Sequence, residues 1–471
     1  MSVVPRRKVL VLLLIPLVYV ALGGSFYYLA AIGALDRAPF PSELVSSSEY
    51  PVELDRVEYR LSLARDFLDS RLVRDDGHVF LAYYLHDAVE EDEGRFANDS
   101  RLREDYLELS VDVVVPDAPS GFVVEDTSSE AMSYYLLWTA RSGDREAFDR
   151  ALAYVEDVMV HPEFGYVQWR VGSDGLIREG GENFASDADV RVIRALLIAE
   201  RRWGDSRYTR AIDERAVALE EYAINDWGML APYGGVFGGE RFTSQETWIS
   251  YADFQIFAIL AERRGEPWES VLRNMRVVAL SAQTEQSFFN SVLLPDGTYS
   301  NYLDGDVFSI NTLWIMERSA QSDDRSLNRA ARRSLDFYAI RFEQDTELFG
   351  RYSEQGDSLD ARAQSPWVYA IVGRAAMHLD DLALANEMIR ALMEMQDVDP
   401  QSPLYGSFPE GRGERVRAEQ FALHESILTF QEYLVYIEGK RMRGELDYLE
   451  EVGEYVPPAR RVFGAARGLL D

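Results

Sequence analysis

The chain has 471 residues, of which 47% are hydrophobic and 12% aromatic, so it can fold around one large core or two ordinary ones. Its formal net charge of −32 argues against binding to nucleic acid, because phosphates need basic protein surfaces. It contains no cysteine, which excludes disulfides, thiolate catalysis and zinc–cysteine sites.

The N-terminus is predicted to be a membrane segment. Arg6, Arg7 and Lys8 precede an apolar run over 9–35 that is long enough to span a bilayer. The basic flank predicts a cytoplasmic tail over 1–8 and an extracellular location for the rest of the chain. Paired arginines also resemble a twin-arginine export signal. A cleaved signal peptide, which would release the protein, is the alternative to a signal anchor over 9–35.

A linker over 36–55, rich in Pro and Ser, connects this segment to a series of helices. Apolar residues at i, i+3 and i+4 predict about twelve helices, near 56–73, 128–142, 144–159, 187–203, 207–224, 248–264, 267–284, 306–320, 324–342, 365–379, 380–397 and 417–438. Paired helices with few strands favour antiparallel hairpins stacked in a ring. We therefore predict an all-α fold, an (α/α)6 toroid over 56–445 with a C-terminal tail over 446–471. A plain α-solenoid fits the same pattern.

The acidic charge is predicted to lie on the surface. Residues 90–93 form an acidic run within a predicted surface insertion over 85–105. Only Lys8 and Lys440 are lysine among 48 basic residues. Such an acidic surface, almost without lysine, suits a protein that works in concentrated salt. An ordinary acidic secreted protein with arginine-biased codon usage is the alternative.

Two of the predicted helices begin with carboxylates. Asp187 and Asp189 stand one residue apart at the start of a helix that ends at Trp203, and Glu130 follows two serines at the start of another helix. Caps of helix N-termini alone would explain all three residues. In a toroid, however, the starts of the inner helices converge on a central cleft. Hydrolysis of a glycosidic bond needs one carboxylic acid and a second carboxylate in such a cleft.

The sequence around these carboxylates resembles glycoside hydrolase family 8. Residues 185–189 are similar to that family's Ala-(Ser/Thr)-Asp-(Ala/Gly)-Asp segment, and the approach to them over 169–183 follows the family's order and spacing. Residues 127–134 resemble the family's Ser-Glu-Gly-Gln stretch, although Ala131 and Met132 replace Gly and Gln. The resemblance covers about 125–320. It implies a divergent, membrane-anchored member with an (α/α)6 fold that hydrolyses a β-1,4-linked glucan-type polysaccharide internally and with inversion.

The resemblance also implies roles for individual residues. Glu130 corresponds to the general acid and Asp187 to the carboxylate that binds the sugar at the cleavage point. Further substrate-binding residues are expected near these two positions: Asp189, Trp169, Tyr251, Tyr134 and Asp306.

The general base is expected just before the eighth helix. The family carries it in a Leu-Leu-Pro-Asp…Tyr-Asp-Ala-x-Arg stretch, and here Leu-Leu-Pro-Asp over 293–296 is followed by Asp304 and Asp306 without the arginine. Asp304 is the candidate and Asp306 the reserve, although a simple turn before a helix gives the same sequence. Asp360, which begins an Asp-Ala-x-Arg stretch, is a second candidate at the tenth helix.

The sequence offers little support for chemistry that depends on a metal or a cofactor. The five histidines show no i, i+3 or i+4 pairing, so we predict neither a metal nor a cofactor. The expected partner is a polysaccharide, and the sequence gives no oligomeric state. Two alternative functions remain open. One is a different toroidal sugar enzyme, such as an unsaturated-uronyl hydrolase, and the other is a non-catalytic glycan-binding surface protein.

Overall fold

Twelve α-helices form the framework of the computed structural model, which describes residues 51–85, 121–124, 126–301, 307–308, 310–359, 365–410 and 417–443. All of these lie in one compact unit. The helices are α1 Leu54–Phe67, α2 Ser129–Ser142, α3 Arg145–Tyr154, α4 Ser186–Trp203, α5 Ser206–Tyr222, α6 Phe254–Arg264, α7 Trp268–Ser281, α8 Ile310–Gln321, α9 Arg325–Asp345, α10 Pro366–His378, α11 Leu382–Met395 and α12 Gln420–Met442.

The helices are arranged as two concentric layers. The inner helices α2, α4, α6, α8, α10 and α12 each contact the next, and α12 contacts α2, which closes the ring. Each inner helix packs against the outer helix that follows it in the chain, except that α12 packs against α1. The first and last described helices therefore form the sixth hairpin. This arrangement confirms the predicted (α/α)6 fold.

The connections between paired helices follow from local sequence. Gly143 and Gly204, both with positive φ, end α2 and α4, and the next residues, Asp144 and Asp205, cap α3 and α5 by accepting backbone N–H groups. Glycine ends a helix in the left-handed conformation without steric cost, and aspartate is a preferred N-cap. The Gly-Asp pair thus reverses the chain in two residues.

The two layers differ in how their helices are buried. In the outer helix α3, Ala147, Phe148 and Ala151 are buried while Glu146 and Arg150 form an exposed ion pair. This is the amphipathic pattern of a helix with one solvent face. In the inner helix α4, every residue from Ser186 to Leu196 is buried, because neighbours surround its first three turns.

Short strands lie in the connections that lead from each outer helix to the next inner helix. The strands are β1 Ala82–Leu85, β2 Gly121–Val124, β3 Thr127–Ser128, β4 Arg170–Val171, β5 Phe184–Ala185, β6 Tyr233–Phe237, β7 Glu240–Thr243, β8 Thr247–Trp248, β9 Val292–Leu293, β10 Tyr299–Ser300, β11 Val307–Phe308, β12 Tyr352–Ser353 and β13 Arg417–Glu419. All pairs are antiparallel, in the orders β13-β1-β2, β10-β9-β8, β11-β12, β3-β4 and β5-β6-β7.

The structure changes some of the expected boundaries. Helix α1 begins at Leu54, inside the expected linker over 36–55. The expected helix over 248–264 is divided: β8 and a 3-10 turn at Ile249–Tyr251 precede α6, whose N-cap Asp253 accepts the backbone N–H of Ile256. Within the described ranges no helix is both long and apolar enough to cross a bilayer. The expected anchor over 9–35, nearly all of the acidic insertion and the tail over 446–471 lie outside those ranges.

Candidate active site

The inner helices begin at one rim of the ring. Each inner helix except α12 is followed by an outer helix that packs against it and returns the chain, so successive inner helices run in the same direction. Strands β3, β5, β11 and β13 end directly before or close to the starts of α2, α4, α8 and α12. The rim therefore gathers the free N–H groups and positive dipole ends of these helices. It also gathers the side chains of their first turns.

Glu130 lies in the first turn of α2, at this rim. The helix is capped by Ser128, whose Oγ accepts the backbone N–H of Ala131 at 3.3 Å. The side chain of Glu130 is partly buried and accepts two hydrogen bonds: from Trp169 Nε1 to Oε1 at 3.1 Å and from Ser129 Oγ to Oε2 at 3.3 Å. Both donors are neutral groups.

Trp169 is held beside Glu130 by backbone pairing. Strands β3 and β4 place Ser128 opposite Arg170, and the N–H of Ser129 donates to the carbonyl of Trp169 at 2.9 Å. Trp169 is 36% exposed, so the residue that contacts the acid also reaches solvent. This fits the expected substrate-binding role and adds a direct contact with Glu130.

The protonation of Glu130 follows from its surroundings. Burial raises the pKa of Glu130 to about 7, and the nearby negative charge of Asp187 adds to the increase. Donors at the helix start and the positive charge of Arg191 act in the opposite direction. A carboxyl group with this pKa holds its proton near neutral pH, as a general acid requires.

Asp187 lies in the first turn of α4. The strand before it is fixed by pairing of β5 with β6, and Ser186 Oγ donates to the carbonyl of Ala231 at 2.7 Å. Arg191 Nη2 donates to Asp187 Oδ2 at 3.0 Å. Asp187 Oδ1 is buried and has no hydrogen-bond partner among the described residues. Burial raises the pKa of Asp187, whereas Arg191 opposes that increase.

Asp189 does not face the rim, which corrects its expected role in substrate binding. Its side chain is fully buried, and Oδ1 accepts the backbone N–H of Val167 at 3.1 Å. Residues two apart on a helix point about 200° away from each other, so Asp187 and Asp189 cannot occupy the same face. Asp189 instead holds the loop that leads to Trp169.

The structure also corrects the expected role of Tyr134 in substrate binding. It lies one turn after Glu130 but is only 3% exposed, and its OH donates to Glu425 on α12. The guanidinium of Arg191 lies over its ring, 4.0 Å from the centroid. Tyr134 therefore belongs to the interior beneath the rim and is not placed to contact a substrate.

Tyr251 remains a candidate for substrate binding. It ends the 3-10 turn before α6, is partly buried, and packs edge-on against Trp248 with ring centroids 5.1 Å apart. The three candidates for the general base, Asp304, Asp306 and Asp360, lie outside the described residues.

A buried ionic network beneath the rim was not expected from the sequence. Arg374 on α10 forms two hydrogen bonds with Glu317, at 2.7 and 3.0 Å, and also pairs with Glu425. Arg194 pairs with Asp253 in the same way. The sequence did contain a sign of this network, because these charged residues interrupt otherwise apolar helices. Charged residues are almost never fully buried unless they are paired.

Aromatic side chains line another part of the rim. Phe421 at the start of α12 packs against Trp314 with ring centroids 5.7 Å apart and against Trp367 at 6.4 Å. All three are partly buried. Flat apolar rings that are partly exposed offer surfaces for stacking of other rings.

Three comparisons place this arrangement among known proteins. Residues 119–301 match the sequence profile of the family described as glycosyl hydrolases family 8. An endoglucanase from Cellulomonas uda is 27% identical over 153 residues, which cover 32% of this chain and 42% of that protein. The chain thus spans less than half the length of that relative.

Two solved structures share the fold. One is described as a novel alpha-amylase from Clostridium perfringens, with a TM-score of 0.63, 19% identity, and coverage of 80% of this chain and 98% of that one. The other is endoglucanase Cel10, a family 8 glycosyl hydrolase from Klebsiella pneumoniae, with a TM-score of 0.50, 14% identity, and coverage of 79% and 99%. The profile match over 119–301 and the related endoglucanase sequence thus make this part of the chain similar to glycoside hydrolase family 8.

Proposed function

We propose that this protein is an inverting, endo-acting glycoside hydrolase that cleaves a β-1,4-linked, glucan-type polysaccharide. The observation that carries the proposal is Glu130: a carboxyl group at the rim whose pKa is raised to about 7 and which contacts the exposed Trp169. The family 8 profile match and the endoglucanase relative support the polysaccharide class.

The proposed reaction is a single displacement. Glu130 donates its proton to the glycosidic oxygen as the bond to the anomeric carbon breaks. Asp187 accepts a hydrogen bond from a hydroxyl of the sugar at the cleavage point. A water molecule attacks the opposite face of the sugar, and its proton passes to Asp304. Inversion requires room for that water, with acid and base roughly 6.5–9.5 Å apart.

Glu130→Gln in the full-length protein tests the proposal. The substrate panel is carboxymethylcellulose, chitosan, xylan and, because one solved neighbour is described as an alpha-amylase, soluble starch, each at low and high salt. We expect the variant to lose nearly all release of reducing ends from the substrate that the parent cleaves. Glu146→Gln, at an exposed first-turn glutamate of the outer helix α3, is the matched control and should keep full activity.

The products separate the proposal from its alternatives. An early fall in viscosity and an inverted anomeric configuration by NMR support endo-acting inversion. Release of only terminal unsaturated sugars would indicate a uronyl hydrolase, and binding of a polysaccharide without cleavage would indicate a glycan-binding protein. Full activity of Glu130→Gln would contradict the proposed acid.

We also propose that the segment over 9–35 anchors the enzyme in the cell membrane with the ring outside. Because the chain contains no cysteine, a single introduced cysteine can be labelled with a membrane-impermeant maleimide in intact cells, which tests this orientation. Glu146→Cys should be labelled, whereas Ser2→Cys should be labelled only after the cells are opened. Recovery of the protein in the medium would instead indicate a cleaved signal peptide.

A further inference from the structure

Arg191 is held beside Asp187 in the candidate site by contacts from two inner helices. It lies one turn after Asp187 on α4 and is 6% exposed. Nη2 donates to Asp187 Oδ2 at 3.0 Å, and Nη1 donates to Ser133 Oγ at 2.8 Å. The ring of Tyr134 lies 4.0 Å from Cζ. Contacts from α2 and α4 thus direct the guanidinium toward Asp187.

The two carboxyl groups consequently have different partners. Asp187 bonds to a full positive charge, whereas Glu130 accepts hydrogen bonds from the neutral side chains of Trp169 and Ser129. When two carboxyl groups repel each other, the one paired with a cation ionises first and the other retains the proton. The geometry therefore favours a protonated Glu130 beside an ionised Asp187.

We propose that Arg191 is a positioning residue that keeps Asp187 ionised and so leaves the proton shared by the two carboxyl groups on Glu130. This inference rests on the proposed function, since only a hydrolase needs the proton at that position. With Oδ2 bonded to Arg191, the buried Oδ1 of Asp187 has no partner among the described residues.

Charged and titratable groups from neighbouring inner helices also surround this pair. From α12, Glu425 accepts a hydrogen bond from the hydroxyl of Tyr134 and is itself neutralised by Arg374. His424, also from α12, stacks on Tyr134 and is neutral because burial and Arg191 lower its pKa to about 3. From α8, the positive charge of Arg318 also favours the ionised form of Asp187.

Trp169 provides a probe of Glu130 that does not depend on turnover. Its indole N–H is bonded to Glu130, so its fluorescence should change when Glu130 titrates. The difference in emission between the full-length protein and its Trp169→Phe variant, followed against pH, isolates this indole from the other tryptophans. For the parent protein we expect one transition near pH 7, since the pKa of Glu130 is raised to about 7.

Arg191→Met should divide this transition into two steps. Without the guanidinium, the single proton is distributed between both carboxyl groups, and the later step should lie about one pH unit or more above that of the parent. Arg191→Lys keeps the charge and should retain one step. Arg194→Met is the matched control, because Arg194 lies on the same helix but pairs with Asp253. It should retain one step at the parental pH.

A second variant keeps the proposal testable if Arg191→Met does not fold. Asp187→Asn removes the repulsion between the carboxyl groups, so the transition of Glu130 should move to lower pH. A single, unmoved transition in Arg191→Met, or an unmoved transition in Asp187→Asn, would overturn the inference. Circular dichroism verifies the fold of every variant.

Measurements of activity then distinguish a failure of this inference from a failure of the proposed function. With carboxymethylcellulose as the probe, kcat/KM of Arg191→Met should fall about tenfold or more, and Arg191→Lys should recover part of the loss. The predicted fluorescence changes in a protein that cleaves no polysaccharide would refute the proposed function alone. Unchanged fluorescence in an active hydrolase would refute the role of Arg191 alone.

Discussion

The indole N–H of Trp169 donates to Oε1 of Glu130 at 3.1 Å, although the two residues are 39 positions apart in the chain. Pairing of β3 with β4 produces this contact, because it places the loop after Val167 beside the start of α2. The exposed ring thus contacts the proposed acid directly. A substrate sugar that stacks on this ring would lie next to the proton that Glu130 donates.

Trp169→Phe should separate stacking from hydrogen bonding. The phenyl ring retains a stacking surface but cannot donate to Glu130, and loss of a donor to the ionised form raises the pKa of the acid. We expect the alkaline limb of the pH–rate profile to move to higher pH and kcat/KM to fall about tenfold. Trp227→Phe, at a tryptophan of similar exposure (37%) that makes no hydrogen bond to Glu130, should leave both quantities unchanged.

Asp189→Asn should stabilise the protein at alkaline pH and keep its activity. Burial raises the pKa of Asp189 to about 7, so the folded state binds this proton more tightly than the unfolded state does. The associated stability is fully present below about pH 4, the range of an unfolded aspartate, and is lost as pH rises through 7. Asparagine retains an acceptor for the Val167 N–H without the charge.

The measurement is the Tm at two pH values. At pH 8 the Asp189→Asn variant should melt roughly 2–4 °C higher than the parent, and at pH 4.5 the difference should nearly disappear. Loss of polysaccharide cleavage with an unchanged Tm would show that Asp189 contacts the substrate after all, as the family resemblance implied.

Much of the architecture was predictable because it depends on local sequence. Apolar spacing and Gly-Asp turns such as Gly143-Asp144 determine helices and hairpins within a few residues of each other. The same local signals placed Glu130 and Asp187 at helix starts. Their catalytic roles stay predictions, as do those of the aspartates at 304, 306 and 360.

The interior of the ring was not predictable in the same way. Tyr134 is one turn from Glu130, yet its hydroxyl meets Glu425, which is 291 residues away. That contact exists only when the last inner helix closes the ring against the first. The orientation of Asp189 away from Asp187, by contrast, follows from helical geometry alone, since positions i and i+2 face nearly opposite sides.

Arg374→Met should severely destabilise the ring. The arginine pairs with both Glu317 and Glu425, all three residues being at most 4% exposed. Its removal leaves two buried carboxylates without their cation, and we expect a loss of about 3–5 kcal/mol in the free energy of unfolding. Arg150→Met breaks an exposed pair with Glu146 and should cost at most about 0.5 kcal/mol. Urea unfolding of both variants measures the difference, and equal losses would contradict an ionic core.

Asp304→Asn tests the assignment of Asp304 as the general base. If Asp304 activates water, its amide variant cannot accept the proton, and kcat should fall about a thousandfold or more while KM changes little. Asp306→Asn and Asp360→Asn are its matched controls, since each removes one neighbouring candidate carboxylate. Loss of the base leaves Glu130 and the sugar-binding groups intact, so added azide, a small nucleophile that needs no base, should restore turnover and give an inverted glycosyl azide. A profound loss in Asp360→Asn with an active Asp304→Asn would assign the base to Asp360.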